Sequence, residues 1–198
     1  MTNGIAGISE RKTAIIAGAL ILIAYSVLAS FILESLIIIL LLELISGAAV
    51  IGLAVLIFPI LKPHNKNLTL VYTVIKIIEG VLIIVATILL LSSRLEVRDW
   101  IFVISAYIFG IRFLMLSYLL YQSKLVPRFI AVWGLIASIV LIVASLINMI
   151  AGNTVIPFIF SHLPVILNEL FLAIWLIVKG FNSEAIASES AKIDMNDN

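Results

Sequence analysis

Six runs of apolar residues constrain this chain more than any other feature, each near the roughly 20 residues a helix needs to cross a bilayer core. They cover residues 13–33, 36–61, 68–91, 100–121, 129–150 and 155–178. Of the 198 residues 64% are apolar and 12% charged, and the mean hydropathy is +1.30. A soluble domain is about half apolar and a quarter charged, so a water-soluble fold would have nowhere to put this surface. The expected class is all-α, a polytopic membrane bundle of six transmembrane helices.

The gaps between the runs hold the turn chemistry and most of the charge. Lys62-Pro63-His64-Asn65-Lys66-Asn67 is a polar turn with asparagines suited to helix capping. Pro127, after Lys124, suits a first helical turn. Connections this short join antiparallel neighbours. With the N-terminus inside, Arg11, Lys12, Lys62, Lys66, Lys124, Arg128, Lys179 and Lys192 fall on inner segments, and only Arg94 and Arg98 on outer ones. That bias predicts both termini in the cytoplasm. Tyr72, Tyr121, Trp133 and Trp175 are expected near the inner interface and Trp100 near the outer one.

Three segments follow: 1–11 as a short cytoplasmic N-terminal stretch, 12–180 as the membrane domain, and 181–198 as a disordered acidic cytoplasmic tail. Arg11-Lys12 before an apolar run ending in Val27-Leu28-Ala29 resembles a cleavable secretory signal, but the run continues through Leu33 and is expected to be retained. Ala14-x-x-x-Gly18 and Ala48-x-x-x-Gly52 are candidate close-packing surfaces between helices of one chain.

Charged residues inside the spans locate the candidate site. Glu43, Lys76, Glu79, Arg112 and Glu169 lie at membrane depth. Left unpaired in lipid, the five would cost on the order of 12–17 kcal/mol. They must therefore gather inside. Counted along the helices, Glu79, Arg112 and Glu169 share the midplane, and Lys76 shares a helix face with Glu79 at i,i+3. These four form the expected buried network or binding site. Glu43, Asn148 and His162 fall in the outer half and are expected to border one vestibule. Three acids against two bases leave one negative charge over, which motivates a carboxylate that takes up a proton or cation. Pro164 removes a donor within the last span and is expected to kink it just above Asn168-Glu169.

Enzyme signatures are poor. No His-x-x-x-His, Gly-x-Ser-x-Gly or phosphate-cradling loop is present, and there is no cysteine. His162 is a lone histidine at membrane depth, so neither a metal site nor a cofactor is expected. Ser105, Ser117 and Ser138 are expected to bond back to their own helices. A net charge of +1 offers nothing to nucleic acid.

Two stretches carry a family resemblance. Residues 121–134, with Lys124, Pro127, Arg128, Trp133 and Gly134, look like the inner loop of the prokaryotic membrane proteins grouped as domain of unknown function 4386. Asn168-Glu169-Leu170 through Trp175 to Lys179-Gly180-Phe181 is similar to that family's last helix. Arg11-Lys12-x-Ala14 and Pro59-x-Leu61 are weaker matches, and Lys76 stands where the family more often has arginine. The resemblance spans about 11–181 and implies a multi-pass protein of a prokaryotic plasma membrane with no established activity. Three function classes follow, in order of expectation. The first is a non-catalytic membrane component of sensor, accessory or immunity type, working with the bilayer and a protein partner. The second is a small proton-linked permease for a proton, cation or small solute. The third is an intramembrane enzyme acting on lipid.

Overall fold

The computed structural model describes residues 3–92, 94–152 and 155–187. They form six long helices, α1 (Asn3–Ala24), α2 (Leu36–Leu61), α3 (Lys66–Leu91), α4 (Leu95–Ser123), α5 (Arg128–Ala151) and α6 (Phe158–Val178), each with a stretch long and apolar enough to cross a membrane. The all-α bundle expected from the apolar runs is the fold observed. Residues 3–11, expected as a separate stretch, are instead the opening turns of α1.

Turn chemistry sets the helix ends. Asn65 accepts a hydrogen bond from the Leu68 backbone N–H at 3.1 Å and so caps α3. Lys124, Gly152 and Gly180 adopt positive φ and end their helices in left-handed turns. Because each connection is short, each helix packs against its sequence neighbours, and the extensive contacts run α1–α2–α3–α4–α5–α6 and back to α1. The helices therefore form a closed ring. Residues on its outer surface such as Ile37, Leu41, Val55, Ile88, Ile136 and Ile174 are exposed and apolar, as lipid contact requires.

Close backbone approach occurs at two seams. At α1–α6, a methyl group on Gly18 would sit 2.6 Å from the Ala173 carbonyl oxygen, and Ala14 and Ala17 are fully buried. The Ala14/Gly18 pair is thus an intramolecular contact, as expected. At α2–α3 the expected Ala48/Gly52 pair is not the contact surface. Ala48 is exposed, and it is Gly47 that meets Gly80, where a methyl on Gly80 would lie 2.8 Å from the Gly47 carbonyl oxygen. Small residues at i,i+4 recur in so apolar a chain, and only the face turned inward distinguishes them.

Two further expectations are corrected. The first span does not continue as a regular α-helix: from Tyr25 to Phe31 it tightens into a 3-10 segment. The Ser46 hydroxyl donates to the Ala24 carbonyl at 2.6 Å where the winding changes, and Ser26 donates to Leu42 at 3.1 Å. The tail expected to be disordered from 181 begins in order. Asn182 donates from its backbone to the Leu125 carbonyl at 2.9 Å, residues 183–187 make a helical turn, and Phe181 and Ile186 pack on the core. Those apolar groups outweigh the acidic composition that suggested disorder. The acidic stretch 188–198 lies outside the described residues.

Arg11, counted in the sequence only as a positive charge, has a structural task. It donates to the carbonyls of Leu176, Ile177 and Val178 at 3.1, 2.8 and 3.1 Å, satisfying the C-terminal end of α6. The first helix thereby caps the last and closes the ring.

Candidate functional site

The centre of the ring holds the charges that hydrocarbon rejects. Arg112 on α4 is 1% exposed, Glu79 on α3 7% and Glu169 on α6 6%, so all three point inward. Arg112 Nε lies 2.7 Å from Glu79 Oε2, and its two terminal nitrogens each donate to Glu169 Oε1 at 3.3 Å. The second Glu169 oxygen accepts from the Tyr25 hydroxyl at 2.6 Å. Phe109, one turn before Arg112, sits with its ring 4.7 Å below the guanidinium. Four helical elements thus meet at one cation.

Tyr25 went unrecognised in the sequence. It reaches Glu169 because the 3-10 segment turns its phenol inward, and no periodicity signals that winding. Tyr72, expected at the inner interface, is fully buried within electrostatic reach of Arg112. Its α3 position, one turn before Lys76, places it on the inward face.

Lys76 completes the cluster differently. It is 3% exposed, shares the inward face of α3 with Glu79, and forms no ion pair among the described residues. Its side chain lines a cavity of about 370 Å³. That space runs up the ring axis from the charged cluster, between α4, the 3-10 segment and α6. From Arg112 to Phe102, both lining residues, α4 climbs ten residues, about 15 Å. The walls are almost wholly apolar, with Val50, Ile83, Phe102 and Phe109 among them. Leu28 and Val103, which border the upper end, are exposed.

The expected outer vestibule of Glu43, Asn148 and His162 does not form as one feature. Glu43 is fully buried, ion-paired with Arg98 and hydrogen-bonded by Thr87 at 3.0 Å. Asn148 makes two bonds to the Ile156 backbone, 2.9 and 2.8 Å, which tie the α5–α6 connection. Only His162 lines the cavity, its Nδ1 2.8 Å from the Ser161 hydroxyl. The common depth of the three residues concealed their different faces.

Arg98 also changes the charge count. Assigned to an outer segment by sequence, it lies in the first turn of α4 and extends inward to Glu43. The buried acids Glu43, Glu79 and Glu169 are then matched by Arg98, Lys76 and Arg112, and the expected surplus negative charge disappears. Pro164 lies within a continuous α6, so the helix is not broken there. One turn below, Asn168 donates to the Ile130 carbonyl at 2.9 Å and joins α6 to α5.

Among the serines, Ser138 bonds back to Gly134 and Leu135 at 2.6 and 3.0 Å, as expected. Ser105 does not. It is 9% exposed, its hydroxyl has no partner among the described residues, and it lines the cavity. Among the described residues, no group of three acids or histidines is placed to hold a metal ion.

No curated protein and no solved structure matches the chain. A protein family does, over residues 13–94, which hold most of α1 with α2 and α3, and over residues 92–180, which hold α4 to α6. The matched segments contain every member of the central cluster, and the chain belongs to the multi-pass membrane family described as a domain of unknown function, DUF4386.

Proposed function

We propose that this protein is a non-catalytic component of a prokaryotic plasma membrane, with its termini in the cytoplasm, that binds a small apolar molecule inside its helix ring. One observation supports this above the others: an apolar cavity of about 370 Å³, within the size range of small-molecule pockets, ends on a buried cluster of charges. A purely structural ion network would be closed over by side chains. Here Arg112 is ion-paired with two carboxylates while the space above it stays open. Pairing of Glu43 with Arg98 removes the charge imbalance on which a proton-linked carrier rested, which favours binding, as in a sensor, over proton coupling.

Co-purification tests the reading. Ala106 lines the cavity, and Ala106→Trp places an indole within it. Wild-type protein extracted in mild detergent is expected to carry an apolar small molecule near one per chain, detected by native mass spectrometry. Ala106→Trp, checked for monodispersity and unchanged melting, is expected to lose it. Equal retention by both proteins would place the molecule elsewhere and defeat the proposal.

A further inference from the structure

The cavity's polar groups indicate what kind of molecule it takes. Two of them are uncommitted: the Lys76 ammonium, which has no ion pair among the described residues, and the Ser105 hydroxyl, which has no hydrogen-bond partner. Both residues line the cavity and both are at least nine-tenths buried. A buried donor without an acceptor is costly, so each points to an acceptor supplied by a ligand. Of the other polar groups lining it, Tyr25 donates to Glu169, Arg112 is ion-paired with Glu79 and Glu169, Ser46 donates to the Ala24 carbonyl and His162 meets the Ser161 hydroxyl.

Charge decides between ligand classes. The cluster holds two cations, Lys76 and Arg112, and two anions, Glu79 and Glu169, so its sum is zero. An anionic head group would satisfy Lys76 but leave one net charge in a low-dielectric space, a penalty of about a hundredfold in affinity. A cationic head would meet Lys76 as a like charge. A neutral acceptor oxygen satisfies the ammonium and preserves the balance.

Building on the binding reading above, we infer that the cavity takes a neutral, elongated, mainly hydrocarbon molecule with a carbonyl, ether or alcohol oxygen at one end. The oxygen accepts from Lys76 at the base, and the hydrocarbon body lies along Phe109, Ile83 and Phe102. Ser105, two turns of α4 above Arg112, supplies a second donor part-way up.

Competition photolabelling in phosphatidylcholine nanodiscs tests the assignment. A diazirine-bearing long-chain alcohol is the probe, and dodecan-2-one, dodecanesulfonate and dodecyltrimethylammonium are the competitors. Saturable labelling is expected within 102–109, displaced by the ketone at concentrations about a hundredfold below those of either ion. Lys76→Met, and separately Ser105→Ala, are expected to raise the ketone concentration needed by up to about tenfold, one lost hydrogen bond. Ser105→Ala leaves the charge cluster intact and reports even if Lys76→Met fails to fold. Displacement by the sulfonate at equal or lower concentration would overturn the neutral-head assignment while leaving a binding cavity in place. Absence of any saturable labelling would overturn both readings.

Discussion

Replacing Arg112 with methionine is the sharpest single perturbation of this fold. The side chain is 1% exposed and is the only cation within ion-pair distance of Glu79 and Glu169 among the described residues. Methionine is apolar and unbranched, so the variant removes the charge while filling much of the space. The cluster then holds Lys76 against two carboxylates and carries a net negative charge. Breaking a buried pair by deleting one partner costs about 3–5 kcal/mol. For a chain of this length each kcal/mol moves the melting point by about 2–4 °C, so a fall of about 6–20 °C is expected. The double variant Arg112→Met/Glu79→Gln returns the sum to zero, with Lys76 and Glu169 remaining and Tyr25 still bonded to Glu169. It is therefore expected to melt above the single variant. Heating purified protein in detergent and measuring the monodisperse fraction by size-exclusion chromatography gives both midpoints. A single variant melting within 2 °C of wild type (about 1 kcal/mol or less), or a double variant no better than the single, would refute the claim that charge balance holds the centre together.

Other perturbations read separate parts of the ring in the same melting assay. Arg98→Gln strands the fully buried Glu43 and is expected to lower the midpoint, with recovery when Glu43→Gln is added; an unchanged midpoint in Arg98→Gln alone would mean that Thr87 suffices for Glu43. Gly80→Val drives carbon atoms into the Gly47 carbonyl and is expected to cost about 1–3 kcal/mol, while the same change at the open, left-handed Gly152 acts only through backbone strain. Arg11→Gln should cost about 1 kcal/mol, because its carbonyl contacts lie partly in water, and it should raise hydrogen exchange at the end of α6 before it affects α3. Equal exchange in both helices would argue against a local cap.

The architecture was legible because hydrocarbon tolerates so few alternatives. Run length and gap length together led to the helices and their antiparallel order, and depth alone placed Glu79, Arg112 and Glu169 at one level. Depth does not reveal azimuth, however. Glu43, Asn148 and His162 share a depth yet face different neighbours, and Tyr72 lies one turn from Lys76 on the buried side rather than at the interface. Long flexible side chains defeat such counting too: Arg98 belongs to the outer turn by its backbone and to Glu43 by its guanidinium. The cavity was the least legible feature. It depends on the 3-10 winding after Ala24, which ordinary helical periodicity neither announces nor excludes.

The parts of the central cluster are far apart in the order of synthesis. Lys76 and Glu79 emerge together on α3, so their charges balance within one helix. Arg112 follows on α4, and its second carboxylate arrives only with α6, 57 residues later. Arg11, on α1, must likewise wait for the carbonyls in the final turn of α6. A chain stalled before α6 would hold Arg112 in the membrane with Glu79 but without Glu169. Closure of the ring is thus registered by a lock whose key is α6.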